Sequence, residues 1–97
     1  MDRSRRRRSV SYRVGWVPTS RRALDRLPEH AATAALELVY GPLRENPYRV
    51  GKRLRPPLDD VLSARRGAYR ILYTVDEDAG VVVVLNVEHR RDAYRPH

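Results

Sequence analysis

The chain opens its readable pattern with an alternation. Val10, Tyr12, Val14 and Trp16 fall on one side of a stretch that ends at Val17, the period-two signature of a half-buried strand. Pro18 and Thr19 break it, and Thr19 or Ser20 is placed to cap a short helix through Leu27. Ala23, Leu24 and Leu27 share one face of that helix. Pro28 suits a second helix start. Beyond it Ala32, Ala35, Leu36, Val39, Tyr40 and Leu43 recur at helical spacing, until Gly41-Pro42 should end or loosen the helix.

Asn46 to Pro57, NPYRVGKRLRPP, reads as a loop rich in proline and basic residues. From Asp59 the pattern turns to strands. Val61–Arg65 is short, Tyr69–Val75 alternates cleanly, and DEDAG (Asp76–Gly80) is a turn. Val81–Glu88 is a β-branched run suited to a central strand, and His89–His97 is polar, a short helix or coil. The order β-α-α-β-β-β predicts an α+β fold. Two N-terminal helices pack on one face of a small antiparallel sheet, with the first strand paired into a three-strand meander. One domain is expected over residues 10–97, preceded by a disordered basic tail at 1–9.

Composition bounds the chemistry. At 97 residues the chain buries only about 60–65% of its unfolded surface, so the core is small. Without cysteine there are no disulfides or thiolate metal sites, which fits a reducing compartment. No apolar run approaches the ~18–20 residues of a membrane span, and no apolar segment follows the basic start, so the expected location is the cytosol. The net charge is +8 and the isoelectric point about 10.8. Lys52 is the only lysine among 20 basic residues; the arginines offer planar forks that match phosphate oxygens. Residues 44–75 hold eight basic and three acidic side chains, a local +5, while Asp76, Glu77 and Asp78 gather in one turn. Nucleic acid or an acidic protein is the implied partner.

The candidate site is at one end of the meander. Arg65 and Arg66 end one predicted strand and Arg70 begins the next, across a Gly67-Ala68 connection. The last strand runs antiparallel to Tyr69–Val75, so its end brings His89 and Arg90 beside Arg70. Arg65, Arg70, His89, Arg90 and Tyr94 are expected to share one concave patch. Such a patch suits cleavage of RNA phosphodiesters. Arginines stabilise the charge of the phosphorane, while proton transfer at neutral pH falls to His89 or Tyr94. Arg66, Arg91, Lys52, Arg53 and Arg55 are the expected phosphate-binding surroundings. The carboxylates of the turn lie away from these arginines, so neither a metal nor a cofactor is expected.

The segment LDDVLSARRGAYRILYTVDEDAGVVVVLNVEHRRDAYR resembles the second half of the RelE-type toxins of the RelE/ParE superfamily. LPEHAATAALELVYGPLRENPYRVGKRLR is similar to their helical hairpin and the loop after it. The most specific pieces are LxSARRGxYRxxY and the closing HRRDxYR. The resemblance implies the toxin half of a bacterial type II toxin–antitoxin module with a small microbial-RNase-like fold. It implies metal-independent cleavage of mRNA in the ribosomal A site by 2′-OH attack, and an acidic RelB-like antitoxin that blocks the toxin. The partners would be the ribosome with its mRNA and ribosomal RNA, with operator DNA reached only through the antitoxin. Arg70, Arg90 and Tyr94 match family site positions, Arg65 a basic position, and His89 a histidine seen in many relatives. Some relatives carry two lysines in the first meander strand; here those positions are Val61 and Ser63, so the general base does not carry over. Two alternatives use the same scaffold: a ParE-like toxin that inhibits DNA gyrase without catalysis, and a non-catalytic nucleic-acid-binding regulator.

Overall fold

The computed structural model describes residues 11–89. The expectations for the basic tail and for Arg90, Arg91 and Tyr94 lie outside them. The strands are β1 (Arg13–Trp16), β2 (Lys52–Arg53), β3 (Leu62–Arg66), β4 (Tyr69–Asp76) and β5 (Val81–His89); the helices are α1 (Pro18–Asp25), α2 (Glu29–Leu38) and α3 (Pro47–Val50). The fold is α+β, as the pattern predicts, with the helices against a five-strand sheet of order β1-β5-β4-β3-β2.

Local chemistry explains the element ends. Pro18 is the first residue of α1, where its missing N–H costs no helical bond. The expected Thr19 or Ser20 cap is absent; buried Ser20 instead donates its hydroxyl to the Val17 carbonyl at 2.8 Å. At Val39–Leu43 the second helix widens into a π-helical turn and kinks, with Gly41 at φ −107°, ψ −110° and Pro42 inside it. Proline supplies no N–H and clashes with the preceding turn, so the helix loosens where the sequence predicts.

The sheet departs from the prediction in two ways. It is mixed, because β1 pairs parallel to β5 (Arg13↔Val81 to Trp16↔Val84). The expected loop at 46–57 also contains a one-turn helix, α3, and the two-residue edge strand β2. The β-branched Val81–His89 strand is central, flanked by β1 and β4.

One face of the sheet carries the core. Leu62, Ala64, Ile71, Tyr73, Val82, Val84 and Val87 meet Ala23, Ala35, Leu38, Val39 and Leu43 from the helical layer. Burying each of the larger side chains stabilises the fold by about 1.5–3 kcal/mol. Tyr12, Val14 and Trp16 pack against this core as the first alternation requires, and Trp16 Nε1 donates to the Tyr40 hydroxyl at 2.9 Å.

A β-bulge divides β5. Leu72 pairs with Asn86 but Tyr73 pairs with Val84, so Leu85 is an extra residue. Val82 and Val84 face the helices before the bulge, and Val87 does after it. The alternation therefore shifts by one residue. The Asn86 side chain accepts the Val87 N–H at 3.0 Å, satisfying backbone at the interruption.

Candidate active site

The site grows from the β3–β4 hairpin. Its two-residue loop is Gly67-Ala68, and Gly67 sits at φ +61°, a region that glycine enters without the penalty of a Cβ. This short loop fixes the register Arg66↔Tyr69, Arg65↔Arg70, Ala64↔Ile71. Since Ala64 and Ile71 point into the core, Arg65 and Arg70 point to the opposite face. The next strand continues the row, with Glu88 beside Arg70.

Arg70 and Glu88 form an ion pair. Arg70 Nε donates to Glu88 Oε1 at 2.9 Å, and Nη2 lies 2.9 Å from the same oxygen. Asn86 Nδ2 approaches the other carboxylate oxygen, Oε2, at 3.4 Å. The contact uses the Nε edge of the guanidinium; its Nη1 side is outside that contact.

Arg70 also lines an open cleft of about 620 Å³ with Val50, Lys52, Arg53, Leu54, Ser63 and Arg65. Four cations thus border one concavity. Two contacts hold its β2 wall in place. Tyr73, buried in the core, donates its hydroxyl to the Pro47 carbonyl at 2.6 Å, and Gly51 packs against that hydroxyl so closely that a Cβ would lie 2.0 Å from it. Burial, opposed by the Gly51 backbone, pushes the Tyr73 hydroxyl up to about 12. On the outside, Tyr48 and Tyr12 both donate to the Glu77 carboxylate. The Glu77 hydrogen bond, followed by burial, pushes Tyr48 up to about 12; burial, then Glu77, raises Tyr12. The Arg53 guanidinium stands 5.8 Å from the Tyr48 ring centroid, and its Nη1 donates to the Asp59 carbonyl at 3.0 Å.

The other expected residues separate. Arg66 belongs to the row of Tyr69 and His89, which continues the helix-facing parity of Ile71 and Val87. The His89 ring meets the Tyr69 ring edge-on, with centroids 4.9 Å apart. Both line a different cavity of about 330 Å³ with Ala23, Arg26, Leu27, Pro28 and Val87. Arg55 is exposed beyond β2 and does not line the four-cation cleft.

The expectation that Arg70 and His89 share one patch is therefore corrected. Antiparallel pairing brings both to one end of the sheet, but on opposite faces. The bulge is the cause: with unbroken alternation from Val82 and Val84, residue 88 would face the helices and residue 89 would join Arg70. Likewise the acidic residues are not all remote from the arginines, since Glu88 touches Arg70. Sequence reasoning missed Glu88 and Asn86. The one signal for them is Asn86 itself, a lone amide in VVVVLNVEH. Among the described residues, no group of three or more histidine and acidic side chains is placed to hold a metal ion.

The family model described as "ParE toxin of type II toxin-antitoxin system, parDE" matches residues 14–94. The toxin RelG of Mycobacterium tuberculosis is 46% identical over 86 residues, covering 89% of this chain and 99% of that protein. The toxin RelE of the same organism is 44% identical over 84 residues, covering 87% of each. The crystal structure of the M. tuberculosis toxin–antitoxin complex RelBE2 superposes with a TM-score of 0.80 at 46% identity, covering 84% of this chain and 93% of that one. The isolated Escherichia coli RelE toxin shares the fold, with a TM-score of 0.69 at 17% identity over 81% of this chain and 84% of that one. The family model spans the helical hairpin, the meander and the residues of the four-cation cleft, and the chain belongs to the RelE/ParE superfamily as the toxin of a type II toxin–antitoxin system.

Proposed function

We propose that this toxin is a ribosome-dependent endoribonuclease that cuts mRNA in the A site by 2′-OH attack, without a metal, and so stops translation. The observation that carries this reading is the four-cation cleft, with Arg70 on its wall. Attack by the 2′-OH puts negative charge on a five-coordinate phosphorus. A guanidinium already fixed in place stabilises that charge without reorganising. Arg65, Lys52 and Arg53 supply the phosphate footing, with Arg91 added from the chain that follows β5, and Arg90 shares the charge-stabilising role of Arg70.

Arginine does not exchange protons near neutral pH, so the 2′-OH and the leaving 5′ oxygen need another group. His89 packs on Tyr69 behind the sheet plane from Arg70. This reading therefore gives the main proton-transfer role to Tyr94, and leaves His89 a lesser one. An acidic RelB-like antitoxin would neutralise the same cations, in a cytoplasmic setting, and operator DNA would be reached only through it. The RelE and RelG names of the relatives near 45% identity support this reading over gyrase inhibition. Cleavage of a defined mRNA on programmed ribosomes tests it: cuts confined to the A-site codon are expected, whereas intact mRNA overturns it.

A further inference from the structure

We infer that Glu88 is a positioning residue of this site: it fixes the Arg70 guanidinium for the phosphate, and the β5 bulge exists in this strand to deliver it there. The inference rests on the reading of the Arg70 face as the cleaving face.

A carboxylate is a poor choice beside a phosphate-binding cleft, because it repels the ligand. Its presence has to be explained by what it does to Arg70. The two side chains are partly exposed, at 30% and 26%, so the pair gains little from a dry environment. What it gains is geometry. One oxygen, Oε1, takes both Nε and Nη2 of Arg70, which fixes the plane of the guanidinium. Arg65 stands directly across the hairpin from Arg70 and repels it. Glu88, on the opposite flank, draws Arg70 away from that charge while leaving the Nη1 side for a ligand in the cleft.

The bulge supports this reading independently. It interrupts the central ladder of a small sheet, and after it the parity of β5 is reversed. Asn86 is the residue that stitches the interruption, through Val87 N–H at 3.0 Å, and it also reaches Glu88 Oε2 at 3.4 Å. One side chain thus serves both the backbone defect and the carboxylate that the defect turns toward Arg70.

The test is single-turnover cleavage on programmed ribosomes, with ribosome affinity measured in parallel, for wild type, Glu88→Ala, Glu88→Gln, Arg70→Ala and the Glu88→Ala/Arg70→Ala double variant. Glu88→Ala is expected to slow cleavage about 10- to 100-fold, as misplacement of a catalytic group does. Its ribosome affinity should stay the same or tighten, because a negative charge has left the site. Glu88→Gln keeps an acceptor for Arg70 and should fall between wild type and Glu88→Ala. The double variant should be no slower than Arg70→Ala alone, because Glu88 acts through Arg70. A Glu88→Ala rate equal to wild type overturns the inference, and so does a loss that multiplies onto that of Arg70→Ala. No cleavage by wild type overturns the nuclease reading itself, and this inference with it.

Discussion

Arg65 and Arg70 stand directly opposite each other across the β3–β4 hairpin, like charge against like charge. Folding alone disfavours such a pair. Arg65→Ala should therefore leave the melting temperature unchanged or raise it, with a stability change of about 0.5 kcal/mol at most. The same substitution should weaken RNA or ribosome binding and reduce the slope of log affinity against log salt by about one. A thermal melt and a salt titration check both halves.

Arg66 makes the contrast. It is adjacent in sequence to Arg65 but shares its row with Tyr69 and His89, away from the cleft. Arg66→Ala is expected to change the salt slope and the cleavage rate less than Arg65→Ala does. Equal losses in the two variants would show that the faces are not functionally distinct.

Gly51 is predicted to tolerate no side chain. A Cβ there would lie 2.0 Å from the Tyr73 hydroxyl oxygen and 3.2 Å from the Ser63 carbonyl oxygen. Tyr73 is fully buried, so the clash falls inside the core. Gly51→Ala should destabilise the fold by about 1–3 kcal/mol or more. Adding Tyr73→Phe removes the nearest atom, so the double variant should lose less than the sum of the two single losses in urea denaturation.

Alkaline pH should expose the tyrosine contacts. Tyr73 and Tyr48 are both pushed up to about 12 in the folded chain, against an ordinary value of 10.0. The folded state holds these protons more tightly than the unfolded chain. Their stabilisation is complete below pH 10 and is lost as pH rises toward 12. Denaturation midpoints measured from pH 8 to pH 11.5 should fall steadily above about pH 10, and Tyr73→Phe should flatten that fall.

His89→Ala separates packing from proton transfer. Losing the edge-on contact with Tyr69 should lower stability by about 0.5–1.5 kcal/mol. Cleavage per folded molecule should drop less than it does in Tyr94→Phe, which keeps the ring and removes only the hydroxyl. A His89→Ala rate loss greater than that of Tyr94→Phe, at unchanged ribosome binding, would return the proton to His89.

Most of the fold is legible in the sequence because its strands and helices are strongly periodic. Tyr69, Ile71 and Tyr73 announce one buried face; Ala35, Val39 and Leu43 announce a helix against it, although Leu36 and Tyr40 of the same stripe are exposed and Leu38 is buried in their place; Gly41-Pro42 announces the kink. What is not legible depends on pairing. Nothing in RVGW states that it will lie parallel to β5, and Lys52–Arg53 is too short to carry a period. The site shows the same limit more sharply. Arg70 was identifiable as outward-facing from its neighbours. Its partner was not, because uniform valines at 81–84 give no parity of their own, and the single extra residue at Leu85 decides whether Glu88 or His89 shares its face.

In the proposed reaction Arg70 stabilises charge during cleavage of mRNA on the ribosome. The most direct measurement is single-turnover cleavage of a defined mRNA on programmed ribosomes, mapped by primer extension, for wild type and Arg70→Ala at equal ribosome occupancy. Cuts confined to the A-site codon are expected, with a loss of about 10²- to 10³-fold in Arg70→Ala. Uncut mRNA with wild type, or equal cutting by both proteins, would contradict it.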